Sequence, residues 1–193
     1  MGAESETSLP NALVVDDEKE VADAYALRLR GACEIRTVYD GESALETFEA
    51  WDVDVALLDR HMPGMSGDDV LEALADHPTP VRVIMVTAID PGFDVLDMPF
   101  DDYLCKPVDR ADIRSAVTQQ CQILGYDLLG EYFGVESKRR VIEAELPQEQ
   151  RQDHDEYVQL SERAERLRTR ITRLLADADA LFEQFDDVDR AGR

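Results

Sequence analysis

The stretch Val55-Ala56-Leu57-Leu58-Asp59-Arg60-His61-Met62-Pro63-Gly64 decides the fold. Four apolar residues end abruptly in a carboxylate, and Pro63 and Gly64 then turn the chain. A short apolar run bounded by turn residues reads as a strand buried on both faces. The acid after it would stand just beyond the strand's carboxyl end, where open parallel α/β sheets hold their ligands. Taken alone, Asp59 reads rather as opening a turn, which Asp does through its own side chain. The flanking segments choose between the two.

Upstream, Ala12-Leu13-Val14-Val15 runs into Asp16-Asp17-Glu18, and Glu34 to Val38 alternates charged with apolar residues. The third strand is predicted over Val53 to Leu58. Downstream, Val81 to Val86 ends in Thr87-Ala88, and a fifth strand begins at Asp102 and leads into Lys106-Pro107. Helical spacing separates these runs: Val21, Ala24, Tyr25 and Leu29; Ala44, Leu45 and Phe48 after Gly41; Val70, Leu71 and Leu74; and Ile113, Ala116, Val117, Cys121 and Leu124. Pro91 to Phe100 is bracketed by prolines and too short for a firm helix. Strands alternating with helices every ~20 residues imply βαβ units and a doubly wound parallel sheet, the α/β class. Right-handed crossovers bring every strand's carboxyl end to one rim. That rim collects Asp16, Asp17, Asp59, Thr87 and Lys106, which favours a site over a set of turn acids.

Three clustered carboxylates raise one another's pKa unless a cation joins them. Mg²⁺ fits, because it takes oxygen ligands, keeps several waters and binds one or two carboxylates together with phosphate. An acid flanked by such a metal and a lysine is arranged to become an acyl phosphate. Asp59 is the candidate nucleophile and Asp17 the main metal anchor. Lys106 and Thr87 would receive the phosphoryl oxygens.

At 193 residues the chain suits one full domain plus an appendage. Its 43 acids against 20 bases give a net charge of -23, and only Lys19, Lys106 and Lys138 are lysines. Such a surface repels nucleic acid and anionic membrane at long range. It resembles the composition of extreme halophiles, whose concentrated salt screens self-repulsion; an ordinary acidic protein is the alternative. Cys33, Cys105 and Cys121 show no CxxC spacing, which argues against a disulfide framework or a zinc site and suits a reducing cytosol. Met1 to Pro10 lacks the apolar core of a signal peptide, and no apolar run approaches the roughly 18 residues of a membrane helix. A cytoplasmic protein is expected. His61 lacks a partnering His or Cys and reads as a turn residue, not a transition-metal ligand. Asp52-Val53-Asp54 imitates the DxD of haloacid-dehalogenase-type phosphohydrolases, but its apolar strand follows the motif where theirs precedes it.

In the last third, Leu128, Tyr132, Val135, Ile142 and Leu146 keep helical spacing until Pro147, and Gln148 to Glu156 reads as a connection. From Tyr157 the apolar positions run Leu160, Ala164, Leu167, Ile171, Leu174, Ala178, Leu181 and Phe185 without a break, a coiled-coil seam of about four heptads. Leu175 and Phe182 widen it toward a bundle face. A helical hairpin is expected, paired within the chain or with a partner. Arg163, Arg166, Arg168, Arg170 and Arg173 concentrate positive charge there, yet the region after residue 125 has 11 bases against 17 acids. A solvated helix face with i,i+4 partners such as Glu162–Arg166 is favoured over a DNA-binding surface.

LVVDDE, LLDRHMPGMSG, VTA and DDYLCKP together resemble the response-regulator receiver domain of two-component signalling, over residues 11–124. The resemblance implies a flavodoxin-like fold with strand order 2-1-3-4-5. It implies that Asp59 accepts a phosphoryl group from the phosphohistidine of a sensor histidine kinase. Mg²⁺ would be held by Asp16, Asp17, Asp59 and the backbone carbonyl of His61. Thr87 and Tyr103 would couple phosphorylation to the face of the fourth helix, fifth strand and fifth helix, and Lys106-Pro107 would be cis. Residues 126–187, with YFGVESKRRVIEAE, the leucine heptads and ALFEQFDDVD, resemble the HalX module. Residues 1–10 and 188–193 are left as flexible termini. The expected protein is therefore a phospho-switch, not a turnover enzyme, whose C-terminal helices meet an output protein or self-associate. A DNA-binding regulator using the Arg-rich helix and a Mg²⁺-dependent phosphohydrolase are the other readings. Pro91 to Phe100 departs from the family, whose fourth helix is longer.

Overall fold

A computed structural model describes residues 8–88 and 91–191. Two compact units divide it, Leu9–Leu124 and a helical one from Gly125 onward. In the first, β1 (Asn11–Val15), β2 (Glu34–Val38), β3 (Val55–Leu58), β4 (Arg82–Thr87) and β5 (Asp102–Cys105) form one parallel sheet in the order β2-β1-β3-β4-β5. This is the five-stranded, doubly wound α/β sheet expected. The strand composition explains the order. β1, β3 and β4 are apolar and almost wholly buried, as central strands covered on both faces must be. β2 and β5, at the two edges, keep polar positions.

The crossovers are α1 (Lys19–Leu29), α2 (Gly41–Ala50), α3 (Gly67–Leu74) and a 3-10 turn at Phe93–Asp97, and α4 (Arg110–Glu145) follows β5. Asp40 caps α2 by accepting from the Ser43 amide, and Ser66 and Asp69 close a reciprocal capping box on α3. The core layer between the sheet and α2/α3 holds Leu13, Ala56, Leu58, Phe48, Val70 and Leu71. Strand boundaries differ from expectation by one or two residues, β1 beginning at Asn11 and β4 running from Arg82 to Thr87. β3 starts at Val55, because the Asp54 amide is already bonded to the Asn11 carbonyl and β1–β3 pairing begins at Ala12↔Val55. The weak segment after β4 contains a 3-10 turn, with Phe93 and Leu96 exposed.

α4 is one unbroken helix where separate helices were expected on either side of residue 125. Between Pro107 and Pro147 the sequence has no residue that stops a helix, and Gly125 lies flat against Leu174 and Leu175. The connection after Pro147 contains a short helix, α5 (Gln148–Gln152), and then α6 (Asp155–Leu174) and α7 (Ala178–Ala191).

The second half of α4 and α6 form the expected hairpin. Arg163 donates to Glu131 at 2.8 Å, and the Tyr157 hydroxyl donates to Glu143 at 2.7 Å. α7 adds a third helix: Phe133 stacks on Phe185 with centroids 4.2 Å apart, and Tyr132 meets Phe182 edge-on at 5.0 Å. The heptad pattern thus continues through residue 185 while the backbone breaks at Leu175, which is extended. Adjacent apolar pairs explain the break. In a straight helix Leu175 and Phe182 would lie beside the seam; the turn buries both, along with Ala178, and leaves Leu181 and Phe185 half-buried. At the termini, the Pro10 carbonyl accepts from the Glu34 amide and α7 continues through residues 188–191, both inside segments expected to be flexible. Residues 1–7 and 192–193 lie outside the described residues.

Candidate functional site

Register places the site. Val15 pairs with Leu58 and Val38, and Thr87 pairs with Cys105, so Asp16, Asp59 and Lys106 each stand one residue past paired strand ends. Backbone bonds hold them there: the Asp59 amide donates to the Val15 carbonyl at 2.9 Å and the Lys106 amide to the Thr87 carbonyl at 2.7 Å. The Lys106-Pro107 peptide is cis.

The ammonium of Lys106 lies 2.7 Å from Asp16 Oδ2 and 3.0 Å from Asp59 Oδ1. Asp16 and Asp59 are buried while Asp17 is exposed. One oxygen from each of Asp16, Asp17 and Asp59 lies within 4.8 Å of the other two. The Glu18 amide donates to Asp16 Oδ1 at 3.0 Å and the His61 amide to Asp59 Oδ2 at 3.3 Å, so both buried carboxylates are oriented by backbone as well as by lysine. Burial pushes the Asp16 carboxyl above its ordinary range, against the pull of Lys106. For Lys106 burial acts to lower the pKa, but hydrogen bonds and charge from Asp16 and Asp59 outweigh it and hold the ammonium above its ordinary value.

The expected residues divide into two groups. Asp16, Asp17, Asp59 and Lys106 converge, and His61 reaches the cluster through its backbone. Thr87 is buried at the end of β4 and contributes the carbonyl that fixes Lys106. Tyr103 lies on β5 opposite Met85; its ring stands 5.5 Å from that of Phe100 and packs against the core layer. Two supports were not anticipated. Arg60 forks onto Asp68 at 3.1 and 3.2 Å, and Gly67 presses against the Asp59 carbonyl. The run Pro63-Gly64-Met65-Ser66-Gly67 signalled a turn, but no local pattern reports such a close approach.

Three oxygen donors with no nitrogen or sulfur among them suit a hard divalent cation. With one lysine against three acids, the cluster also retains negative charge for that cation to balance.

In the Arg-rich segment of α6, Arg163, Arg166 and Arg168 are exposed, but each lies against an acid or a ring. Arg168 lies over the Phe182 ring at 4.3 Å and donates to the Tyr132 hydroxyl, and Arg170 is buried. Arg166 sits 3.6 Å from Glu162, the anticipated i,i+4 pair. This placement does not favour DNA binding. Among the described residues no helix is long and apolar enough to cross a membrane.

Comparison with known proteins agrees with these observations. Residues 12–118 match the response regulator receiver domain and residues 122–191 match the HalX domain. A Haloferax volcanii protein provisionally described as a transcriptional regulator is 35% identical over 188 residues, covering 93% of this chain but 32% of that protein. The transcriptional regulatory protein CutR of Streptomyces coelicolor is 43% identical over 109 residues, which are 54% of this chain and 50% of CutR. The chain therefore spans a third to a half of the length of these relatives. A CheY-like receiver domain structure from Methanospirillum hungatei superposes with a TM-score of 0.58 at 25% identity, covering 62% of this chain and 99% of that one.

Proposed function

The chain belongs to the response regulator receiver family and continues into a HalX domain, and from that premise we propose that Asp59 is the phosphoacceptor of a two-component signalling switch. The observation that carries the reading is the Lys106 ammonium bridging Asp59 at 3.0 Å and Asp16 at 2.7 Å.

The donor is the phosphohistidine of a sensor histidine kinase, or a small acyl phosphate. A carboxylate oxygen of Asp59 attacks phosphorus; the new P–O bond forms as the P–N bond to the imidazole breaks and that nitrogen takes up a proton from water, or as the P–O bond of an acyl phosphate breaks and releases its carboxylate. Lys106, already held charged between two carboxylates, follows the transferred group and neutralises one of its oxygens. The Thr87 hydroxyl accepts the task of hydrogen-bonding another, and the His61 amide holds the carboxylate in orientation. Asp16, Asp17, Asp59 and the His61 carbonyl would hold Mg²⁺, which supplies charge neutralisation for the phosphoryl oxygens. Phosphorylation adds about -1.5 to -2 charge at this rim. Thr87, at the end of β4, and Tyr103, within β5, relay that change, and the C-terminal helices are the element that meets an output partner or another copy. The protein acts as a signalling switch in the cytoplasm.

The test is Asp59→Asn. With Mg²⁺ and a small acyl-phosphate donor in concentrated KCl, the native chain should take up close to one phosphoryl group and the variant none. Stoichiometric labelling of the folded variant would reject Asp59 as the acceptor.

A further inference from the structure

Within the helical unit, one exposed face of α4 has an unusual surface. Tyr126, Gly130, Gly134, Ser137, Val141 and Ala144 follow one another at spacings of 4-4-3-4-3, a single row along the helix, and all are exposed. Tyr126 is 54% and Val141 65% exposed. A third of the chain's residues are charged, yet this outward row contains no charge over about five turns.

The glycines sharpen the question. A helix-interior glycine costs stability relative to alanine. Gly125 repays that within the chain, because a Cβ there would come within 2.7 Å of Leu175. At Gly130 and Gly134 a Cβ would meet nothing within 4 Å, and neither has positive φ. Among the described residues nothing uses their smallness; close approach by something outside would.

We propose that this row is a self-association seam, in which α4 of a second copy packs antiparallel with its Gly130 and Gly134 against Gly134 and Gly130 of the first. It deepens the reading of the C-terminal helices as an interaction element and rests on it. Charge selects the occupant and its direction. Asp127 and Lys138 flank the row on the same side, eleven residues apart, and both are exposed. Antiparallel helices bring like flanks together, so centring the pair on the glycines sets Asp127 of each copy beside Lys138 of the other, twice by symmetry. A parallel pair would place these residues on opposite sides of the contact. Shape agrees with the same register. A hollow of about 660 Å³ opens next to the row, lined by Val141, Ile142, Leu146, Arg151, Tyr157 and Leu160. In this register the partner's Tyr126 comes level with residue 138, at the mouth of that hollow, so its exposed ring has an apolar seat. Small residues let the backbones close while the aromatic and aliphatic ends bury area.

Sedimentation velocity of the full chain in concentrated KCl, across micromolar to millimolar concentration and without phosphate donor, tests the seam. A reversible dimer is expected. Gly134→Ala should raise the melting temperature and weaken the dimer at least tenfold, a split that a purely structural glycine cannot produce. Asp127→Lys and Lys138→Asp should each weaken association, and the double swap should restore it. A chain that stays monomeric throughout, or a dimer indifferent to Gly134→Ala, overturns the proposal. Failure of the double swap to rescue overturns the antiparallel register. Phosphoryl uptake by the same samples reports on Asp59 separately, so loss of the seam and loss of the receiver reading are told apart.

Discussion

Gly67→Ala should damage the site without touching any charged group in it. Gly67 opens α3, and its missing side chain is what allows the helix start to rest on the loop behind Asp59. A Cβ at this position would overlap the Asp59 carbonyl oxygen and stand 2.9 Å from Arg60 Cα and 3.0 Å from the Asp59 carbonyl carbon. Comfortable carbon contacts begin at about 3.5 Å, and all three obstructing atoms are backbone, so no rotamer relieves them. The backbone has little freedom to retreat. The Gly67 amide donates to the Arg60 carbonyl at 2.9 Å, the Ser66–Asp69 capping box fixes the helix start, and Leu58 is paired on both sides. Overpacking a tight site costs typically about 1–3 kcal/mol, and a backbone-only clash belongs at the upper end, so we expect a loss of about 3 kcal/mol. The strain should emerge in the loop after β3, moving Asp59 relative to Lys106. Urea unfolding in concentrated KCl would measure the first effect, and phosphoryl uptake from an acyl phosphate at low denaturant the second. A midpoint equivalent to within about 0.5 kcal/mol of the native chain, the ordinary range for surface changes, with unaltered uptake would refute the argument.

Three further outcomes are expected. Asp17→Asn should lower Mg²⁺ affinity on the order of tenfold or more, since it removes an oxygen donor, while melting stays native because the residue is exposed; unchanged calorimetric titration would remove Asp17 from the metal set. Phe182→Ala should destabilise the helical unit by about 3–5 kcal/mol, because the ring is 2% exposed and carries both the Tyr132 edge contact and the Arg168 guanidinium; a loss below about 1 kcal/mol in thermal unfolding would contradict that packing. Burial pushes the Cys33 thiol up to about 11, so at pH 8 only about 0.1% is thiolate. Cys121 is buried and Cys105 exposed. Alkylation of the folded chain should therefore label Cys105 alone, with all three reacting in denaturant.

The parts of the fold legible in the sequence were those set by local periodicity and by strand ends. Val55 to Leu58 could only be a buried strand, and right-handed crossovers then forced Asp16, Asp59 and Lys106 to one rim. What stayed hidden depends on contacts made across the chain. Gly67 looks like any turn glycine until Asp59 is placed behind it. The continuity of α4 through Gly125 required knowing that Leu174 and Leu175 would fill the space beside it. The heptads through residue 185 were real as a pattern but did not specify a straight helix, because Leu174-Leu175 and Leu181-Phe182 offer two overlapping apolar rows. Burying Leu175 and Phe182 together needs the turn between α6 and α7.

The arginines make the same distinction between pattern and placement, with consequences for output. By sequence, five of them in eleven residues of α6 invite a nucleic-acid surface. In the structure Arg168 covers Phe182, Arg140 covers Phe185 at 4.7 Å and bonds both Asp186 and the buried Glu136, and Arg163 pairs with Glu131. Guanidinium groups suit this duty because they stack on rings and still fork onto carboxylates. In a chain of net charge -23, bases matched to rings and acids leave the net negative charge uncompensated. Such a surface repels a phosphate backbone at long range, whereas the uncharged row on α4 gives another protein helix a place to approach. The geometry of the arginines therefore does not favour DNA binding, in keeping with the protein contact proposed above.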